Sequence, residues 1–99
     1  LENIVLLELM ARGYDVYVGK SKDYEVDFVA EKKEKDGLTR KYIQVSYLIA
    51  TPETREREFK SLKVIEDNFE KLVLSLDPIT LSSEGISHYN LIDWLLDTK

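Results

Sequence analysis

The residues best placed to do chemistry in this chain are acids set among apolar neighbours. Asp27 lies inside YEVDFVAE, which alternates as a strand does. It shares a face with Glu25, Val29 and Glu31, opposite Val26, Phe28 and Ala30. Glu2 lies in LENIVLLELMAR. At about 100° per residue it projects between Leu6 and Leu9 on the apolar side, while Glu8 and Arg12 share a polar stripe. A carboxylate aimed at a core edge is costly without a partner or a metal ion. The plainer reading of Glu2, favoured on residue physics alone, is a first-turn acid that complements the helix dipole. His88 is the single histidine, beside Tyr89 on a short strand. A structural or surface role is favoured for it, since no nucleophile–base arrangement can be assembled around it. The absence of cysteine excludes thiolate sites, and one histidine excludes a His-rich zinc site. No G-x-x-x-x-G-K-S/T stretch occurs, so these residues do not bind ATP through a P-loop.

The elements that must position these residues can be read from pattern. Residues 1–12 are good helix formers with Gly13 as a stop signal. Residues 14–19 and 24–31 read as strands, separated by a polar turn. Residues 32–40 read as a hairpin loop with Asp36-Gly37 as its turn signal, and 41–48 as a third strand. On that strand Ile43, Val45 and Tyr47 alternate with Tyr42, Gln44 and Ser46. Thr51-Pro52-Glu53 starts a helix that runs to about Asn68, with Phe59, Leu62 and Ile65 or Glu66 facing inward. The run TREREFK reads as its solvated face, with pairs such as Glu53–Arg57 and Glu56–Lys60. Residues 71–76 are nearly continuous in apolar residues, as a doubly covered strand is. A short strand over 86–90 and a helix from Leu91 capped by Asn90 close the chain, with Trp94 and its leucines as core. The three first strands suit an antiparallel meander, and the long helix before the fourth suits a parallel crossover. The expected fold class is therefore α/β (α+β), a mixed sheet with flanking helices over residues 1–99 as one domain.

The chain of 99 residues carries a net charge of −5, and its second half is the more acidic. A non-specific nucleic-acid binder is expected to be basic, which counts against strong DNA binding, although a local basic patch from Lys20, Lys22 and Lys60 would favour it. No apolar run approaches the roughly 20 residues that span a bilayer. No signal peptide is visible, so a cytoplasmic location without a membrane is expected.

The order helix, three strands, helix, strand resembles the αβββαβ core of the PD-(D/E)xK nuclease superfamily, the restriction-endonuclease-like fold, over nearly the whole chain. In that superfamily a glutamate on the first helix, an aspartate on the second core strand and an E-x-K or Q-x-K on the third converge at one end of the sheet. The matching positions are Glu2, Asp27 and Gln44-Val45-Ser46. The resemblance implies Glu2, Asp27 and Gln44 as catalytic residues and ligands of Mg²⁺ or Mn²⁺. Such a hard ion keeps several waters and lowers the pKa of one of them. Further, LENIVLLELMARGYDVYVG, EVDFVAEK, YIQVSYLIATPETREREF and GISHYNLIDWLLDTK together are similar to the C-terminal domain that follows the ATP-binding region in many prokaryotic AAA+-type ATPases. That resemblance implies a domain excised from the C-terminal part of a larger ATPase, with the N-terminal ATPase domain of the same chain as its partner. DNA and a homo-oligomeric partner copy are further candidates.

The departures from the nuclease pattern shape the functional expectation. Gln44 offers a carbonyl oxygen but no charge, and Ser46, at the usual lysine position, supplies no cation. Two carboxylates hold a divalent ion weakly. Lys41 points to the wrong face by strand parity, which leaves Lys60 or Lys20 as substitutes. The expected function is a non-catalytic accessory domain that mediates protein or nucleic-acid contacts for an attached ATPase. The alternatives are a metal-dependent DNA phosphodiesterase and a pure interaction or assembly module.

Overall fold

The computed structural model describes residues 1–20, 24–78, 80–82 and 85–97. Lys22 and the turn around it lie outside the described residues. The elements are α1 (Glu2–Ala11), β1 (Asp15–Lys20), β2 (Glu25–Glu34), β3 (Gly37–Val45), α2 (Pro52–Lys63), β4 (Glu70–Ser75), β5 (Ser87–Asn90) and α3 (Leu91–Leu96). The strands form one sheet in the order β1-β2-β3-β4-β5. The β1–β2 and β2–β3 pairs are antiparallel, whereas β3–β4 and β4–β5 are parallel. The fold is thus a mixed five-stranded sheet with three helices, in the expected element order. Among the described residues no helix is long and apolar enough to cross a membrane.

Strand parity sorts the core into two layers. Ile43, Val45, Leu72 and Leu74 pack with Val5 and Leu9 of α1 and Leu91 of α3. Tyr42 and Val73 pack on the other side with Phe59 and Leu62 of α2, and with Ile49, Ile65 and Ile86. Because β4 is covered on both faces, it needs apolar side chains at consecutive positions, and its sequence supplies them. Two local signals work as read. Gly13, at φ +91°, follows the last turn of α1, where the N–H of Gly13 donates to Met10 O and that of Tyr14 to Leu9 O, turning the chain into β1. Asn90 accepts from the N–H groups of Ile92 and Asp93 and so caps α3.

Five expectations need correction. The segment 32–40 is mostly ladder, paired from Lys32↔Thr39 to Glu34↔Gly37, with only a tight turn between the strands. Its charged residues suit an exposed hairpin arm as well as a loop. The helix α2 ends at Lys63 and β3 at Val45, so Ser46 lies just beyond the strand. No ion pair joins Glu53 to Arg57 or Glu56 to Lys60 among the described residues. Finally, Val26 does not share a layer with Phe28 and Ala30: it belongs to the α2 side and they to the α1 side. The cause is a bulge. Between Gly19↔Val26 and Tyr17↔Val29, β2 advances three residues while β1 advances two. Asp27 sits in that bulge. A Cβ on Gly19 would come within 2.2 Å of Val26 Cγ2 and 2.9 Å of Val29 Cγ2, so glycine is what lets the bulged strand close onto β1.

Candidate functional site

The bulge decides what Asp27 can do. The β2–β3 ladder stops at Phe28↔Ile43, one pair short of Asp27 and Gln44. Backbone N–H groups in a half-buried position need acceptors, and here side chains provide them. The N–H of Asp27 donates to Gln44 Oε1 at 2.6 Å, and the N–H of Val45 donates to Asp27 Oδ2 at 2.8 Å. The two side chains complete the end of the ladder that the bulge leaves open.

Gln44 is buried, and its amide is used at both ends. Its Nε2 donates to Glu58 Oε2 at 2.8 Å. Glu58 belongs to α2, on the opposite side of the sheet from α1, and sequence reading assigned it to a solvated helix face. The missed signal was helical spacing: Glu58 lies one turn before Leu62 and next to Phe59, both buried on the inward stripe.

Charge at this site is crowded. Burial raises the Asp27 carboxyl above its ordinary value; the Val45 N–H opposes this, and the charges of Glu2 and Glu25 add to it. Burial also raises Glu58, reinforced by the charge of Asp27 and opposed by the Gln44 hydrogen bond and by Arg57. Glu2, Asp27, Gln44 and Glu58 therefore converge at one end of the sheet. Glu2 is exposed at the first turn of α1, lining a shallow cleft with Leu1, Asn3, Val45 and Tyr47.

The donor set fits a divalent ion poorly. Among the described residues no group of three or more His, Cys, Asp or Glu is placed to hold a metal. Gln44 is spent on a backbone N–H and a carboxylate, and one Asp27 oxygen is spent on Val45. Among the described residues none of the candidate cations pairs with a site carboxylate. The Ser46 hydroxyl donates to Leu48 O at 3.4 Å. Lys41 pairs with Glu70 at 3.5 Å and lies over the Tyr14 ring, away from the site. Lys20 and Lys60 are exposed, and neither forms an ion pair with a site carboxylate.

His88 belongs to a second, wholly buried network. The N–H of Leu81 donates to His88 Nδ1 at 2.8 Å, which puts the imidazole proton on Nε2, 2.7 Å from Ser75 Oγ. The Ser75 hydroxyl donates in turn to Asp77 Oδ1, which also accepts from the N–H of Ile49 at 2.8 Å. Serine, not histidine, is the middle member, so this is not the order that activates a nucleophile. All three residues are at most 1% exposed, beyond the reach of a substrate. The network fastens the β3–α2 loop and the segment after β4 to β5. Burial lowers His88, with Asp77 opposing. Burial raises Asp77, but the hydrogen bonds from Ser75 and from the Ile49 N–H outweigh it and hold its carboxyl below the ordinary value. Asp77 Oδ2 is buried without a hydrogen-bond partner among the described residues.

No protein-family profile and no solved structure matches the chain. It is similar to a protein of Haemophilus influenzae described as an "Uncharacterized protein", with 38% identity over 97 residues. The match takes in 97% of this chain but spans 22% of that relative's length.

Proposed function

We propose that this chain is an accessory domain of an AAA+-type ATPase, built on a restriction-endonuclease-like core, whose nuclease site has become a structural tie. The observation that carries the reading is the Gln44 side chain. In a working site the residue at this position offers oxygen to a metal; here its amide bridges the Asp27 N–H and the Glu58 carboxylate. Serine at position 46 supplies no cation for an attacking water. The element order and the parallel β3–β4 pair support the nuclease-like core. The much greater length of the relative supports a domain within a larger protein. The net charge of −5 and the acidic site favour contacts with protein over non-specific contacts with DNA. A cytoplasmic location belongs to the same proposal.

A second reading, a Mg²⁺- or Mn²⁺-dependent phosphodiesterase, draws on the gathering of Glu2, Glu25, Asp27 and Glu58 at one end of the sheet. A cleavage assay on single-stranded and junction DNA with either ion separates the two. The expected result is no product above that of Asp27→Ala; cleavage abolished by Asp27→Ala would overturn the first reading. ATP hydrolysis by the full-length gene product tests the ATPase assignment, and a gene product that neither binds nor hydrolyses ATP would overturn it.

A further inference from the structure

The helix α1 is apolar nearly all round, and one arc of it faces solvent. Val5 and Leu9 are buried beneath it, while Ile4, Leu7 and Met10 are 48%, 66% and 57% exposed. Asn3 and Ala11 complete the exposed arc, and none of these five residues is charged. The charged residues Glu2, Glu8 and Arg12 lie elsewhere on the helix, and Glu8 and Arg12 pair with each other at 2.7 Å. A soluble surface helix normally turns a polar face outward; a helix apolar on all sides is normally covered on all sides. We propose that the Ile4–Leu7–Met10 face of α1 is a buried interface with another region of the same, longer polypeptide, which meets it with an apolar surface.

Two observations favour that occupant. More than three-quarters of the Haemophilus influenzae relative lies outside the matched segment, so in that relative a large body of chain is there to supply such a cover. The patch is also small. Three side chains on a ten-residue helix fall far short of the roughly 800 Å² per partner that a stable complex between separate molecules buries. A covalently attached partner needs less area, because the link replaces a bimolecular step by an intramolecular one at high effective concentration. A second copy of the chain, free in solution, has no such help. The inference shares with the proposed function only the longer polypeptide; it needs neither ATP hydrolysis nor nuclease ancestry.

Thiol labelling tests it, because these residues contain no cysteine. Leu7→Cys is made in the full-length gene product, with any other cysteines replaced, and in the 99-residue chain. Val18→Cys, at a position 74% exposed on β1, serves as the accessible control. The expected result is at least tenfold slower maleimide labelling of Leu7→Cys in the full-length protein than in the short chain, with Val18→Cys labelled at similar rates in both. Equal labelling of Leu7→Cys in both proteins would overturn the proposal. So would a full-length product with no further region to provide the cover. Protection that appears in the short chain as its concentration rises would assign the face to a second copy and overturn it as well. None of these results depends on the outcome of the cleavage or ATP assays.

Discussion

Gln44 on β3 and Glu58 on α2 are joined by a 2.8 Å hydrogen bond, and the same Gln44 side chain receives the backbone N–H of Asp27. One amide thus links a helix, a strand and a bulge at one end of the sheet. Gln44→Ala leaves the Asp27 N–H and the Glu58 carboxylate without this partner in a half-buried setting. The expected cost is about 1–3 kcal/mol, read by urea denaturation at neutral pH. Gln44→Glu places a third carboxylate beside Asp27 and Glu58. It is expected to be less stable than wild type at pH 7 and to regain stability when Mn²⁺ is added, by mass action on the folded state. A Gln44→Glu protein indifferent to both pH and Mn²⁺ would mean that Asp27 and Glu58 do not crowd this position.

Glu58 titrates above its ordinary value of 4.5. The folded state therefore binds more protons than the unfolded state just above pH 4.5, and stability falls as pH rises through the folded pKa. Glu58→Gln keeps an acceptor for Gln44 and removes the charge. It is expected to stabilise the domain by about 0.5 kcal/mol at pH 7. The gain should shrink as pH falls towards 4.5, where more of the wild-type Glu58 is itself protonated. Paired denaturation curves at pH 7 and pH 4.5 read this directly.

His88 works in the opposite sense. Its folded pKa lies below the ordinary 6.5, so below that pH the unfolded state binds more protons. Its contribution is fully present above pH 6.5 and is lost as pH falls through the folded value. Because Asp27 and Glu58 gain protons in the acid range too, the informative quantity is the difference between wild type and His88→Gln. That difference should shrink from pH 7.5 to pH 5. A difference constant with pH would mean that His88 is not buried in its neutral form.

Gly19 faces Val26 and Val29 where β2 bulges. Gly19→Ala forces a methyl group into that contact and is expected to cost roughly 1–3 kcal/mol by overpacking. The same substitution should disturb the amide signals of Asp27 and Val45 more than those of α3. A silent Gly19→Ala would mean that the close approach does not hold the bulge.

Much of this could be read from the residues, for physical reasons. The doubly covered β4 needs a continuous apolar run, and Asn90 carries the chemistry of a cap, so both are visible in sequence. Asp27 stood out as an acid among apolar neighbours on an alternating strand, whereas Gln44 was singled out only by the resemblance to the nuclease pattern. The bulge was not legible: Val26, Phe28 and Ala30 alternate perfectly, and only the packing of Gly19 from another strand breaks the alternation. Glu58 was hidden by its neighbours, since a run of charged residues looks like a solvated helix face even when one of them points inward. The Ser75–Asp77–His88 chain was hidden because its members meet only after β4 and β5 pair. Serine just past the end of β3, where the resemblance would put a lysine, was visible from the start. What it implies rested on whether Gln44 was free to bind metal, and that is a matter of tertiary hydrogen bonding.

We propose that the Asp27–Gln44–Glu58 cluster is a structural tie and not a metal centre. Titration of the domain with Mn²⁺, followed by NMR line broadening with Asp27→Ala as control, tests it most directly. Weak broadening, spread over surface carboxylates and unchanged in Asp27→Ala, is the expected result. Broadening centred on Glu2, Asp27 and Gln44, and lost in Asp27→Ala, would contradict it.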